Sequence, residues 1–295
     1  MLIVYLLMVL AAFLLSLALF SPSLTLSYVT GALDVPNERK THTSTMARGG
    51  GLAFFVTFTV LIFLLPIDTN FKIALTVGGF TTFLIGLWDD IINLSPFQKL
   101  AGQSAGALAY IALSGNTGLM ESILIFGWIV FIGNAINLCD GLNGLAGGIS
   151  SSQSLCIATL ALILGNSSVL LCSLLLLGAI LGFLPRNFPQ AKIFMGDCGA
   201  LFLGFTLGAL SSELMMKFPS PILALSLYLV FIMPIADAIA SFFRRIIHGK
   251  NPFAADKGHF HHRLIDRNFS KECATLALVS ASLLFGLLGI IITTI

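Results

Sequence analysis

The amino-acid sequence predicts an all-α integral membrane protein with about ten transmembrane helices in a single domain, residues 1–295. Hydrophobic residues make up 57% of the chain and charged residues only 9%, whereas soluble domains carry about 25% charged residues. The apolar residues form long runs, and no polar segment between them is long enough to fold separately. The basic residues alternate between successive loops, which indicates how the runs cross the bilayer.

A helix needs roughly 20 apolar residues to cross the hydrocarbon core, and ten segments reach or approach that length. Those between residues 51 and 114 are short. The first run lacks the basic region and the small-residue cleavage site of a signal peptide, so we expect it to be retained. The predicted spans are residues 2–20, 51–66, 71–88, 99–114, 122–138, 144–164, 167–185, 198–213, 221–243 and 273–294.

Loops one, three, five, seven and nine between these spans hold all of the 15 basic residues except Lys72 and Lys217. The positive-inside rule therefore predicts that these loops are cytoplasmic and that both termini lie on the other side. The histidines and most acidic residues follow the same partition. A transporter would instead place ionisable residues near the bilayer midplane, so the pattern favours chemistry at the cytoplasmic membrane surface.

The first loop combines cations with glycines. Arg39, Lys40, His42 and Arg48 can clamp phosphates, and Gly49–Gly51 permit close approach of a ligand to the backbone. A plain positive-inside loop explains the same residues.

The third loop begins with an acidic pair. On a helix, Asp89 and Asp90 point about 100° apart, which suits two roles better than one bidentate grip. Adjacent carboxylates repel each other unless a cation or a raised pKa relieves them. We interpret the pair as functional rather than as a solvated helix end.

The fifth loop places polar residues among glycines, between two uncharged apolar runs. Asn134, Asn137 and Asp140 recur every three residues, and Asn143 follows at the start of the next span. A glycine-rich turn entering a helix offers free amides and a positive dipole end to phosphate. Glycine-mediated helix packing explains the glycines but not the polar residues.

The seventh loop places Asp197 beside Gly196, at the start of a span. A hard oxygen ligand next to a flexible glycine suits Mg²⁺, which takes one or two carboxylates plus substrate phosphates. An N-cap aspartate is an equally good explanation of Asp197 taken alone.

The ninth loop is rich in histidine. His259, His261 and His262 do not have the HExxH spacing of a zinc protease, and phosphate recognition with acid–base capability fits them better. Asp237 on the preceding span and Arg244 just after its end lie seven residues apart, hence on one helix face, where they are able to pair.

Six motifs occur in a familiar order: DVPNERKTH with the following glycines, WDD, NAINLCDGLNGLAGG, FMGDCGALFLG, PxxD followed by RR, and HFHH. Together they resemble the polyprenyl-phosphate N-acetylhexosamine-1-phosphate transferases, that is glycosyltransferase family 4, from about Asp34 to Arg263. The HFHH motif resembles the WecA/TagO-like branch of this family.

The resemblance implies a bacterial inner-membrane enzyme of about ten helices that depends on Mg²⁺, with Mn²⁺ as a substitute. It would transfer a sugar 1-phosphate from a UDP-N-acetylhexosamine to undecaprenyl phosphate, releasing UMP. UDP-GlcNAc is the expected donor, and UDP-QuiNAc, UDP-FucNAc or UDP-MurNAc-pentapeptide are alternatives. No nucleic-acid partner is expected, and a homodimer is as compatible as a monomer. A flippase or transporter, and a zinc hydrolase built on HFHH, are the alternatives from other classes.

The resemblance also assigns roles to residues. It implies a catalytic acidic pair, a metal ligand in MGD with a second carboxylate in the Asn-rich loop, an aromatic ring against uracil and a histidine cluster at the diphosphate. Asn143 stands where many relatives have a uracil-contacting aspartate, and Ala47 and Ala200 also depart from the pattern. The expected catalytic residues are Asp89, Asp90, His259, His261 and His262; the metal ligands are Asp197 and Asp140; the substrate-binding residues are Asn134, Asn137, Asp140, Asn143, Phe194, Arg39, Lys40, His42 and Arg244.

Overall fold

The computed structural model describes residues 2–35, 45–115, 118–249 and 258–295. Within these ranges the chain is almost entirely helical, and the only strands form a short antiparallel pair, β1 (Leu33–Asp34) with β2 (Met46–Ala47). The α-helices are α1 (Leu2–Ala18), α2 (Phe20–Thr30), α3 (Gly51–Leu61), α4 (Thr69–Ile92), α5 (Pro96–Ser114), α6 (Leu119–Cys139), α7 (Leu145–Ile163), α8 (Ser167–Phe183), α9 (Gly196–Lys217), α10 (Pro221–Val230), α11 (Ile232–Ile247), α12 (Phe260–Asp266) and α13 (Lys271–Thr294).

The structure is that of a multi-pass membrane protein. In the described ranges, seven helices are long and apolar enough to cross a membrane, or eight if α10 and α11 together form one span. Each of the ten predicted spans overlaps a helix or a helix pair. The ten predicted spans exceed the eight because Gly51–Leu64 is short and α5 carries polar residues in its first half. Helix length and composition therefore support fewer spans than the charge pattern of the loops does.

Helix α9 lies at the centre of the bundle and is buried over most of its length. Small residues let its neighbours approach closely, as in other membrane helix pairs. Gly204 of α9 packs against Gly133 of α6, and Gly86 of α4 packs against the backbone of Asp197 and Cys198. The close packing of α4 and α6 against α9 brings the polar ends of all three helices together.

The ninth predicted span is broken. Helices α10 and α11 meet at Phe231 with a bend of 74°. Pro234, in the first turn of α11, has no amide hydrogen to bond the preceding turn, which allows the break. As a result, α11 turns an apolar face outward and a polar face, with buried Asp237 and Ser241, toward the rest of the bundle.

Candidate active site

Four helix ends meet at one end of the bundle. The last turn of α4 carries Asp89 and Asp90, and the turn Asn93–Ser95 reverses the chain into α5. Asn93 ends α4 in the left-handed region, with φ 54°, and Ser95 and Gln98 form a capping box that starts α5. The C-terminus of α6 and the N-terminus of α9 complete the group.

Asp90 caps the N-terminus of α9. Its Oδ1 accepts a hydrogen bond from the amide of Asp197 at 2.9 Å, and its Oδ2 accepts one from the amide of Cys198 at 3.0 Å. The first amides of a helix have no partner within the helix, and the helix dipole favours a negative charge there. The Asp90 side chain is fully buried, so we conclude that it holds α9 against α4.

Gly196 is required by this close contact. It has φ +75°, which side-chain-bearing residues rarely adopt. A Cβ at this residue would also collide with the carbonyl of Arg48 and the carboxylate of Asp90. The glycine of the MGD segment therefore serves the backbone geometry that places Asp197.

A lysine bridges Asp89 and Asp197. Oδ1 of Asp89 accepts the Leu94 amide at 2.7 Å, and its Oδ2 pairs with Nζ of Lys99 at 2.7 Å. The same ammonium group pairs with Oδ2 of Asp197. Lys99 therefore bridges the acidic pair of α4 and the first turn of α9. The sequence analysis assigned no role to Lys99, although the turn at Asn93–Ser95 places it one helical turn into α5, beside the end of α4.

Asn137 and Asp140 reach the same group from α6. The Asn137 amide donates to Oδ1 of Asp197 at 3.1 Å. Asp140 ends α6, and burial together with the charges of Asp197 and Asp90 raises its pKa to about 7, which Arg48 partly offsets. A carboxyl in this setting is stabilised in its charged form by any additional cation.

The described part of the first loop contributes Arg48. Its guanidinium lies between two carboxylates, with Nε 4.0 Å from Oδ1 of both Asp34 and Asp90. The other three residues of this loop that were predicted to bind phosphate, Arg39, Lys40 and His42, lie outside the described residues.

Asn134 is not placed among the carboxylates. Its amide exchanges hydrogen bonds with Gln103 of α5, at 3.0 and 3.4 Å, and donates to the carbonyl of Val130. The spacing of three residues puts Asn134 one turn deeper than Asn137, where an amide pair between α5 and α6 satisfies both side chains. Its role in the structure is helix association.

Hydrogen bonds join the seventh loop to the fifth. Asn187 accepts the Gly144 amide at 2.8 Å and donates to the carbonyl of Ile193 at 2.9 Å, while Asn143 donates to the carbonyl of Pro189 at 3.1 Å. Phe194 bonds through its backbone to Ala47 and Gly50 of the first loop, and its ring is half-buried. Asn187 was missed by the sequence analysis, since a lone asparagine in a loop has no distinguishing pattern.

The histidines approach the site from α12. The Nδ1 atom of His259 lies 2.8 Å from Oδ2 of Asp237, and the rings of His259 and His261 stack with centroids 5.7 Å apart. Arg244 donates to Ser241 at 2.9 Å. In the hydrogen bonds and ion pairs of the described residues, Asp237 pairs with His259 rather than with Arg244, because α12 folds back onto α11 and brings a closer partner.

His261 lies against the fifth loop at Gly141, where a Cβ would collide with its imidazole. Burial lowers the pKa of His261 to about 4, and His262 and His259 add to this effect. His261 is therefore neutral near pH 7, and the glycine connects the histidine segment to the turn that carries Asp140.

Among the residues that the structure describes, no three His, Cys, Asp or Glu side chains come together as a ready-made metal cage. Mg²⁺ does not need one, since it retains waters and binds one or two carboxylates plus substrate phosphates. The group formed by Asp89, Asp90, Asp140 and Asp197 carries four carboxyls against two cations, Lys99 and Arg48. Asp140 and Asp197 fit a divalent cation by charge and by donor type.

Comparison with known proteins gives consistent matches. Residues 72–215 match the family model described as glycosyl transferase family 4. The chain is 35% identical to the probable undecaprenyl-phosphate N-acetylglucosaminyl 1-phosphate transferase of Bacillus subtilis over 283 residues, which covers 89% of this chain and 77% of that protein. It is 35% identical to the undecaprenyl-phosphate alpha-N-acetylglucosaminyl 1-phosphate transferase of Thermotoga maritima, with 88% and 82% covered. The decaprenyl-phosphate N-acetylglucosaminephosphotransferase of Mycolicibacterium smegmatis is 32% identical, with 83% and 71% covered.

Proposed function

Because the chain belongs to glycosyl transferase family 4, we propose that it transfers N-acetylglucosamine 1-phosphate from UDP-GlcNAc to undecaprenyl phosphate. An oxygen of the lipid phosphate bonds to the β-phosphorus of the nucleotide sugar. The bond between that phosphorus and the oxygen bridging to the α-phosphate breaks, and UMP leaves. The products are UMP and a lipid-linked diphosphate sugar.

The observation that carries the proposal is the group of four carboxyls and two cations at one end of apolar helices. A lipid acceptor reaches such a group sideways from the bilayer, and a water-soluble nucleotide reaches it from the aqueous side. Phosphoryl transfer asks for positioning and for neutralisation of charge rather than for covalent chemistry by the protein. Helix ends, a lysine, an arginine and histidines supply both.

We assign the proton-accepting role to Asp89 rather than to Asp90. Both oxygens of Asp90 are held by amides of α9 and its side chain is fully buried. One oxygen of Asp89 pairs with Lys99. A substrate phosphate is able to take the place of Asp89 as the partner of Lys99, which frees that oxygen without unwinding a helix. In the reaction, Asp89 takes the proton of the lipid phosphate as its oxygen attacks.

The cofactor we propose is Mg²⁺, with Mn²⁺ as a substitute, held by Asp197 and Asp140. When bound, the cation neutralises charge on the diphosphate. The residues themselves do the rest of the positioning: Asn137 fixes the carboxylate of Asp197, and Lys99 pairs with its other oxygen. In this proposal the diphosphate is bound by His259, His261, His262 and Arg244. The uracil is bound by Phe194 and Asn143.

We place the chain in the bacterial inner membrane as a ten-span protein with the site in the cytoplasm. The support is the loop charge pattern, since the positive-inside rule puts the loops around Asp89, Asp140 and Asp197 on that side. The helices that carry these residues all present their polar ends in the same direction.

The test is release of UMP by the purified chain given undecaprenyl phosphate, Mg²⁺ and a panel of UDP-sugars. We expect UDP-GlcNAc to be turned over, Asp89→Asn to reduce kcat by about 10²–10⁴-fold, as for loss of a general base, and chelation of divalent cations to abolish turnover. A chain that releases no UMP from any UDP-N-acetylhexosamine would contradict the proposal. Faster turnover of UDP-QuiNAc, UDP-FucNAc or UDP-MurNAc-pentapeptide would change the donor and keep the reaction.

A further inference from the structure

Asp237 lies on the inward face of α11 and contacts the first two residues of the histidine segment. Its Oδ2 lies 2.8 Å from Nδ1 of His259, and its Oδ1 accepts the backbone amide of Phe260 at 2.8 Å. The side chains of Asp237 and His259 are only 5% and 7% exposed. Both oxygens of the carboxylate are thus used, on two adjacent residues.

The contact with Nδ1 determines which ring nitrogen carries a proton. A carboxylate only accepts hydrogen bonds, so Nδ1 of His259 must donate to it. The Ser241 hydroxyl lies 3.1 Å from the same nitrogen and accepts a hydrogen bond from Arg244 at 2.9 Å. The surroundings of Nδ1 are therefore filled by residues of α11, and Nε2 is the ring nitrogen that is left for another partner.

The contact with Phe260 determines where α12 begins. His259 is the N-cap of α12, and its own side chain makes no capping hydrogen bond. Asp237 satisfies the amide of the first helical residue instead, and a negative charge is favoured at that end of a helix. One carboxylate therefore fixes both the ring of His259 and the start of the helix that carries His261 and His262.

We infer that Asp237 is a positioning residue for the transfer reaction, holding the proton of His259 on Nδ1 so that Nε2 exchanges a hydrogen bond or a proton with the substrate. The inference rests on the proposed function. A buried carboxylate–imidazole pair contributes little to the free energy of folding, because the cost of desolvating both groups offsets most of their attraction. Such a carboxylate does fix the tautomer and the orientation of the imidazole ring, as carboxylates do for histidines in metal and hydrolase sites.

The experiment compares Asp237→Asn with Asp266→Asn, a matched change at an exposed carboxylate of α12. The asparagine is isosteric, but its amide nitrogen can donate to Nδ1 and favour the other tautomer. We expect Asp237→Asn to lower kcat by about 10–100-fold, as for loss of a carboxylate behind a functional histidine, with KM changed less than about threefold. Asp266→Asn should leave both constants unchanged.

A spectroscopic measurement separates this inference from the proposed reaction. Nitrogen-15 NMR of histidine-labelled protein at about pH 9, above the ordinary histidine pKa of about 6.5, reports which ring nitrogen is protonated, and His259→Gln identifies the signals. We expect the proton on Nδ1 in the unchanged chain and its loss from Nδ1 in Asp237→Asn. A proton on Nε2 in the unchanged chain, or an unchanged kcat in Asp237→Asn while His259→Gln is inactive, would overturn the inference. Absence of UMP release from the unchanged chain would overturn the proposed function, and with it the positioning role, but not the assignment of the His259 proton to Nδ1, because the NMR result does not depend on turnover.

Discussion

Lys99 joins two carboxylates that belong to separate helices, Asp89 at the end of α4 and Asp197 at the start of α9. Its side chain is 25% exposed, and those of its partners are 7% and 19% exposed. A lysine so placed offsets the repulsion between the two acids, and its loss leaves them uncompensated.

We predict that Lys99→Met lowers the free energy of unfolding by about 1–3 kcal/mol, less than the loss of a fully buried partner because the site is partly solvated, and reduces turnover at least about tenfold. The measurement is thermal unfolding in detergent together with UMP release. The matched control is Lys217→Met, which removes a lysine paired with Glu213 at 2.8 Å but with a 54% exposed side chain. The control should cost less than about 1 kcal/mol, and equal losses in the two variants would contradict the prediction.

The residues of the site differ in how far the sequence could predict them. Asp197 was expected either to bind metal or to cap a helix, and the structure gives the capping role to Asp90, which reaches α9 from 107 residues away. Such a contact is invisible to local patterns, because it depends on how α4 packs against α9. For Asn134 the local pattern predicts too much. Its spacing groups it with Asn137 and Asp140, but it lies one turn deeper in the bundle and bonds Gln103 instead.

At the scale of elements, the histidine segment is held by contacts on two sides. Asp237 of α11 holds His259, and Gly141 after α6 accommodates His261. The sequence predicted the cluster but not its attachment, since the break between α10 and α11 and its 74° bend bring Asp237 to α12. A proline in an apolar span indicates a kink, but neither its angle nor what the bent helix then contacts.

The burial of His261 makes α12 sensitive to pH. Its pKa is lowered from 6.5 to about 4, with burial as the main cause. Between those values the unfolded chain binds the proton more readily than the folded one, so stability rises with pH. We predict that the folded state loses on the order of 2–3 kcal/mol from this group as the pH falls from about 6.5 to about 4.

The measurement is the unfolding temperature at about pH 7.5 and about pH 5, compared between the unchanged chain, His261→Gln and His248→Gln, the last being a change at an exposed histidine. His261→Gln should show the smaller drop, because glutamine does not titrate, and His248→Gln should behave like the unchanged chain. Equal drops in His261→Gln and the unchanged chain would show that His261 is not the responsible group.

At the scale of the whole molecule, the carboxylates, the lysine and the histidines all lie at one end of the bundle, although the helices around them run in both directions. Along the chain, α4 and α6 end there, whereas α9 and α13 begin there. The positive-inside rule predicts that this end is cytoplasmic. The beginning of α6, with Glu121, is then on the outside, and Asn268, between α12 and α13, is on the inside.

This orientation is testable with two cysteines. Four native cysteines are buried and only Cys273 is exposed, so Cys273→Ser provides a background of low reactivity. In that background we predict that a membrane-impermeant maleimide applied to intact cells labels Glu121→Cys and does not label Asn268→Cys until the cells are opened. The reverse pattern would place the site on the outer surface, where a cytoplasmic nucleotide sugar has no access to it, and would contradict both the orientation and the donor proposed for the reaction.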